Sequence, residues 1–119
     1  MELKHECVRD VLLYLEEHQK LHQVINSNSI KIREYTNDDI FYTVSKLTEA
    51  GYLNADIREF CSTIPIKEIT YSGHMFLNNI RDDKVWKETT KTISGLKSVS
   101  LDIISQVAAA IILKMVGIK

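Results

Sequence analysis

The chain has 119 residues, 45% of them hydrophobic, with four glycines, one proline and two cysteines. That composition fits one compact domain with a short appendage and excludes a disordered, collagen-like or disulfide-framework protein. The formal net charge of −1 hides a gradient, because residues 84–119 hold six Lys or Arg against two Asp or Glu, while residues 1–83 hold nine against fourteen.

The first helix is expected over Glu6–Gln19, where Val8, Val11, Leu12 and Leu15 recur at helical spacing and Arg9, Asp10, Glu16 and Glu17 take the solvent side. A polar stretch at Asn26–Ser29 leads into Ile30-Lys31-Ile32-Arg33, whose alternation predicts a short half-buried strand. The second helix, Asn37–Ala50, has the clearest ends. Thr36 caps it, with Asp39 three residues on in a variant capping box, and Tyr35 and Ile40 occupy the staple positions. Ile40, Val44 and Leu47 form its buried stripe. Gly51 follows the last turn, where a left-handed residue is needed, and Tyr52 closes back towards Leu47.

Leu53, Ala55 and Ile57 alternate with polar residues, so Tyr52–Ile57 reads as a strand and Ile64–Ile69 as its antiparallel partner. Pro65 cannot donate a ladder hydrogen bond and belongs at an edge or a strand start. The loop Arg58–Thr63 between them is long enough to be a wing. Thr70 or Ser72 then caps a helix that turns Phe76, Leu77 and Ile80 inward. Asp83 caps the next helix, Lys84–Ile93, which Ser94-Gly95 ends. Ser100 and Asp102 open a last helix, apolar without a break over Val107–Leu113, which Gly117 stops.

Helix, strand, helix, strand, wing, strand, helix, then two further helices, is an α+β, mainly helical order. It resembles a winged-helix domain with a small antiparallel sheet and two extra C-terminal helices. The expected division is a winged-helix-like domain at 1–83 and a helical extension at 84–119, packed on that domain or on a partner.

Four segments carry a sharper resemblance: Leu47-Thr48-Glu49-Ala50-Gly51-Tyr52-Leu53, Ile69-Thr70-Tyr71-Ser72-Gly73-His74-Met75-Phe76-Leu77, Ile80-Arg81-Asp82-Asp83-Lys84-Val85-Trp86 and Ser98-Val99-Ser100-Leu101-Asp102. Together they resemble the domain-of-unknown-function 2513 family, small proteins common in phages and prophages of Gram-positive bacteria. The resemblance covers most of the chain. It implies a winged-helix variant and no particular activity. Members usually have a tryptophan where Tyr71 stands and a histidine where Thr43 stands, so no role is carried over onto those two positions.

The residues supply little enzyme chemistry. There is no phosphate-cradling glycine loop, no GxSxG elbow and no zinc-protease motif. His18 and His22 stand at i, i+4, but no third ligand is evident, and a zinc site wants three or four. Asp82 and Asp83 read as a helix stop followed by an N-cap rather than a cation site. His74, in the first turn of a helix, reads as a packing or capping residue. The expectation is therefore no catalytic residue, no metal and no cofactor. Neither Cys7 nor Cys61 belongs to a CxxC pair, which suits a reduced environment.

Two surfaces remain as candidates. Lys84, Lys87 and Lys91 fall on one helical face with Lys97 close behind, either a nucleic-acid face or a solvated face opposite Val85, Trp86, Thr89 and Ile93. The usual DNA surface of a winged helix is electrostatically wrong here, with Asp38, Asp39 and Glu49 against Lys46 on the reading helix, and Glu59 against Arg58 on the wing. On the last helix, Leu101, Ile104, Ala108, Ile111 and Met115 form an apolar stripe, widened by Ile103, Val107, Ala110 and Ile112. A helix apolar nearly all round must be buried, either against the rest of the chain or in a homodimer. A membrane is not expected as the partner, because no apolar run spans a bilayer and Lys114 and Lys119 are the only nearby cations. The polar N-terminus, without the apolar core of a signal peptide, points to the cytoplasm. The reading is a non-enzymatic macromolecular interaction protein, phage- or prophage-borne, that binds an unknown protein or itself through Leu101, Ile104, Ala108, Ile111, Ile112 and Met115. The alternative is a DNA-binding regulator that uses the lysine face.

Overall fold

The computed structural model describes residues 1–117; Lys119 lies outside them. Five α-helices and a three-stranded antiparallel sheet follow in the order α1 (His5–His18), β1 (Ile25–Asn26), a 3-10 turn (Ser27–Ser29), α2 (Asn37–Glu49), β2 (Leu53–Ala55), β3 (Pro65–Ile69), α3 (Tyr71–Ile80), α4 (Asp83–Ile93) and α5 (Leu101–Met115). The fold is α+β and mainly helical. The chain divides into two compact units, Met1–His74 and the residues from Met75 onward, so the division falls inside α3.

In the first unit α1 packs on α2 and β3, and α2 on β2. Val8, Val11, Leu12 and Leu15 of α1 and Ile40, Val44 and Leu47 of α2 are buried, as their spacing predicts. Arg9 is not on the solvent side as expected but buried, which a long aliphatic stem permits. Asp10 is drawn half inside because its carboxylate accepts the Tyr35 hydroxyl at 2.8 Å. Burial first, and then that carboxylate, push the Tyr35 phenol well above its ordinary pKa.

The sheet runs β1-β3-β2. Ile25 and Asn26 pair with Ile66 and Pro65, and Leu53 and Asn54 with Ile69 and Glu68. A bulge between Asn54 and Ala55 shortens β2, so Ile57, expected inside a strand, lies outside it and is exposed. Pro65 opens β3, where its carbonyl accepts from Asp56 N at 3.0 Å and its missing N–H costs little. The strand expected at Ile30–Arg33 is absent, and pairing falls instead on Ile25–Asn26. The Ser27 hydroxyl accepts from Ile64 N at 2.9 Å and Ser27 N donates to Ile64 O at 2.9 Å. These bonds end the ladder before Ile30 is reached. Ile30 is buried all the same, which accounts for its misleading apolar signal.

Helix α2 has both expected ends. The Thr36 hydroxyl accepts from Asp39 N and the Asp39 carboxylate accepts from Thr36 N, each at 3.1 Å. At the other end Gly51 takes φ +83°, Gly51 N donates to Thr48 O at 3.1 Å and Tyr52 N to Leu47 O at 2.9 Å. This pair of bonds is a Schellman ending. The chain then runs through β2, returns along β3 and meets the same corner again. Thr70 N donates to Tyr52 O at 3.1 Å, the Thr70 hydroxyl donates to Gly51 O at 2.6 Å, and its oxygen accepts from Gly73 N at 3.0 Å. Thr70, not Ser72, therefore caps α3.

In the second unit the cap of α4 is Asp82, one residue before the expected Asp83. The Asp82 carboxylate accepts from Lys84 N at 2.9 Å and Val85 N at 3.0 Å. Extended backbone at Asp82 (ψ 131°) lets its short side chain reach both donors, which leaves Asp83 as the first helical residue. Helix α5 packs on α4. Ser100 caps it by accepting from Ile103 N at 3.2 Å, and Gly117 at φ +82° follows its end. Asn79 Nδ2 donates to Ser105 Oγ at 2.9 Å, tying the end of α3 to α5.

Two outcomes follow from these joints. A β-carbon at Gly73 would land on the Tyr52 carbonyl oxygen and 2.7 Å from Ile69 Cγ2. Because the carbonyl belongs to a fixed backbone, Gly73→Ala should lower unfolding free energy by about 3 kcal/mol, read from a urea midpoint at unchanged slope. The Asp39 carboxyl is held below its ordinary pKa by its bond to the Thr36 backbone, with Lys4 Nζ at 3.2 Å adding to it. A lowered native pKa gives stability that is complete above the ordinary carboxylate value of about 4 and is lost as pH falls through the lowered one. Asp39→Asn should therefore flatten the acid limb of a stability–pH curve while leaving its neutral-to-alkaline shape unchanged.

Candidate functional site

The sequence left two candidate surfaces, and both lie in the second unit. On α4, Val85, Trp86, Thr89 and Ile93 are buried, and the Thr89 hydroxyl is satisfied by Val85 O at 2.7 Å. Lys84, Lys87 and Lys91 are exposed on the other side, and Lys97 is exposed in the following loop. Among the described residues none of these four lysines forms an ion pair. Glu88 borders the row one step round the helix.

On α5 the apolar residues divide. Ile104 and Ala108 are fully buried, Leu101, Ile111 and Ile112 are half-buried, and Met115 is 56% exposed. The stripe that sequence singled out is thus the inward side of α5, and only its last turn reaches solvent. The opposite side is also apolar in part. Ile103 is 43% and Leu113 48% exposed, Ala110 between them is exposed, and Asp102, Gln106 and Lys114 share that side. Asp102 accepts from Gln106 Nε2 at 2.8 Å. The expectation of apolar residues all round was legible; which side faces in was not, because hydrophobic spacing alone does not choose between two apolar sides.

The surfaces of the first unit are different in character. Lys46 of α2 and Arg58 of the β2–β3 loop are both held by carboxylates. Lys46 meets Glu49 at 3.0 Å and Arg58 meets Asp56 at 2.7 Å, and each cation is raised above its ordinary pKa by that bond. Phe60, at the tip of the loop, is fully exposed and takes φ +63°, a conformation uncommon for an aromatic residue.

Sequence gave no sign of a groove of about 580 Å³ between the end of α1, the turn after it and β3. Its walls include Glu16, Gln19, His22, Lys67, Glu68 and His74. The Gln19 side-chain amide builds it by donating to Gln23 O at 2.8 Å, Ile66 O at 2.9 Å and Lys67 O at 3.2 Å. The turn is closed by Gln23 N to Lys20 O at 3.0 Å, with His22 at φ +64°. Only the tertiary fold brings these residues together, so no local pattern could have announced them.

Of the histidines and acids considered as ligands, His18 and Asp82 have local duties. His18 stacks on Tyr14 with ring centroids 4.1 Å apart, and its Nδ1 lies 2.9 Å from Tyr14 O. Asp82 is spent on the α4 cap. Among the described residues no three His, Cys, Asp or Glu side chains come together in a way that could hold a metal ion, and no helix is long and apolar enough to cross a membrane.

Cys7 is buried and Cys61 exposed. Burial pushes the Cys7 thiol up, against the opposing effect of the Thr43 hydroxyl that donates to it at 3.2 Å. An aqueous disulfide reagent should therefore modify Cys61 alone in the native protein and Cys7 only after denaturant is added. Fast modification of both thiols in the folded state would contradict this burial.

Among curated proteins, an uncharacterized protein of Haemophilus influenzae is 27% identical over 115 residues, covering 94% of this chain and 96% of that one. No solved structure matches the chain. Residues 2–100 match the family model described as "Hypothetical protein (DUF2513)", a stretch that ends one residue before α5 begins, and the chain belongs to that domain-of-unknown-function 2513 family.

Proposed function

We propose that this is a non-enzymatic macromolecular interaction protein of the cytoplasm, phage- or prophage-borne, that acts by binding a protein partner or another copy of itself. The observation that carries the reading is the apolar surplus of α5. With Ile104 and Ala108 already buried, Ile103, Leu113 and Met115 on this 15-residue helix, and Val116 at its C-cap, remain between 43% and 65% exposed. Burying such side chains against a partner contributes roughly 1 kcal/mol or more each, which is enough for a specific contact once several act together. A winged-helix-like first unit, with the β2–β3 loop as its wing, would serve as the scaffold. Its paired cations Lys46 and Arg58 argue against using α2 and that loop on DNA.

Light scattering across a concentration series, with α5 intact and with Ile103→Asp and Leu113→Asp combined, tests the reading. Association, with itself or with an isolated partner, should be lost in the double variant while the far-UV spectrum is kept. A monomer that binds no protein, with or without those substitutions, would refute it.

The second reading is a DNA-binding regulator working through Lys84, Lys87, Lys91 and Lys97. The observation in its favour is that all four are exposed without an ion-pair partner among the described residues. Lysines placed this way release counterions on meeting phosphates, so binding would weaken steeply with salt. Gel shifts at low and moderate salt should then show binding that Lys84→Glu, Lys87→Glu and Lys91→Glu together abolish. No shift even at low salt, or a shift indifferent to these changes, removes this reading.

A further inference from the structure

We infer that the lysine row of α4 grips the sugar-phosphate backbone of one nucleic-acid strand and reads no base sequence. This rests on the reading of the row as a DNA surface and narrows it: the face holds nucleic acid without selecting a site on it. At about 100° per residue, Lys84, Lys87 and Lys91 fall within about 60° of arc, opposite buried Val85, Trp86, Thr89 and Ile93. At about 1.5 Å of rise per residue the row is about 10 Å long. Each strand of a DNA duplex carries a phosphate about every 3.4 Å of axis, so the row is as long as about three successive phosphates.

The flanks choose a strand over a broader anion. Asp83 stands on one side of the row and Glu88 on the other, both exposed, so the positive strip is one side chain wide. A membrane of anionic headgroups, or a flat acidic face of a protein, would set negative charge against both acids. A single line of phosphates would not. The same helix lacks the groups that tell bases apart. Planar Arg, Asn and Gln side chains read base edges, and aromatic rings stack on bases. Helix α4 has no Arg, Asn or Gln, and its Trp86 is buried. The hydroxyls of Thr90, Thr92 and Ser94 are turned back onto the carbonyls of Lys87, Glu88 and Lys91 at 3.0, 2.7 and 2.7 Å. A lysine ammonium is a point charge on a flexible stem, and it follows phosphates, which position a protein without specifying a sequence. The whole chain has a net charge of −1, so it has no general attraction for a polyanion and binding depends on this row.

Fluorescence anisotropy of the full chain across a salt series tests this. The probes are two labelled DNA duplexes of equal length and unrelated sequence, and the separated single strand of one of them. Vesicles of phosphatidylserine and phosphatidylcholine, read by co-sedimentation, are the fourth probe. Both duplexes should bind alike, within about twofold, and log affinity should fall against log salt with a slope of about −3, as three phosphates require. The single strand should bind as well, with a shallower slope of about −2. Lys84→Gln, Lys87→Gln and Lys91→Gln combined should abolish binding. Lys84→Arg, Lys87→Arg and Lys91→Arg combined should keep it, because the charges stay, and this variant controls for any disturbance of the helix. The vesicles should not bind.

A preference of about tenfold or more for one duplex overturns the inference yet leaves DNA binding through the row standing. Binding confined to duplexes does the same, since the grip would then need both strands. Vesicles held through the same lysines while no DNA binds replace the strand with a lipid surface and overturn it. DNA binding indifferent to the three glutamines, or lost with the three arginines as well, also overturns it, because the charges of the row would not be its cause. Loss of the wider reading would look different: no DNA of any kind bound, even at low salt.

Discussion

The fold depends on one backbone corner, where Gly51 and Tyr52 meet Thr70 and Gly73. Four chain directions converge there: the end of α2, the start of β2, the end of β3 and the first turn of α3. Thr70 satisfies three of them with a single residue, its amide bonding Tyr52 O, its hydroxyl bonding Gly51 O and its oxygen accepting from Gly73 N. The corner works only with a glycine on each side. Gly51 supplies the left-handed φ that turns the chain out of α2. Gly73 has no β-carbon, so the first turn of α3 can sit against the Tyr52 carbonyl. A side chain at Gly51 would be strained by its positive φ, and one at Gly73 would clash with the Tyr52 carbonyl.

The same logic explains what the conspicuous polar residues are for. Asp39, Asp82, Ser100 and Thr70 each accept from a backbone N–H at a helix start, and the first of these receives a bond from Lys4 as well. Orphan amides at helix ends are costly if left unmet, and a small unit cannot leave them unmet. The acids and hydroxyls that look chemical in a list are therefore occupied in starting helices. Outside packing and capping stand the lysine row of α4, the outer side of α5 and the groove behind Gln19.

Local rules were readable from the chain because their causes are local. The Thr36–Asp39 box, the Gly51–Tyr52 ending, the buried stripes of α1, α2 and α4, and the cap at Ser100 each need only a few neighbouring residues. The failures share the opposite cause. A two-residue strand such as Ile25–Asn26 has no periodicity to detect, while Ile30 and Ile32 imitate a strand because the former is buried for tertiary reasons. Arg9 looked solvated because charge usually means surface, yet its place on α1 faces the core. The cap fell on Asp82 and not Asp83 because the two differ only in backbone conformation. The groove behind Gln19 is invisible in the sequence, since its walls come from residues more than forty positions apart.

Helices α4 and α5 make an informative contrast, because they pack on each other within one unit. On α4 the division is sharp: Val85, Trp86, Thr89 and Ile93 inside, lysines outside. That is the cheapest arrangement for a helix that only has to cover a core. On α5 two residues, Ile104 and Ala108, are fully buried, and yet isoleucine, alanine and leucine recur on the side facing water. Nothing in packing against α4 requires that second apolar side. Ile103 and Leu113 keep close to half of their surface in water there, and polar residues would improve solubility. Exposed apolar area of this kind has a reason when another surface covers it.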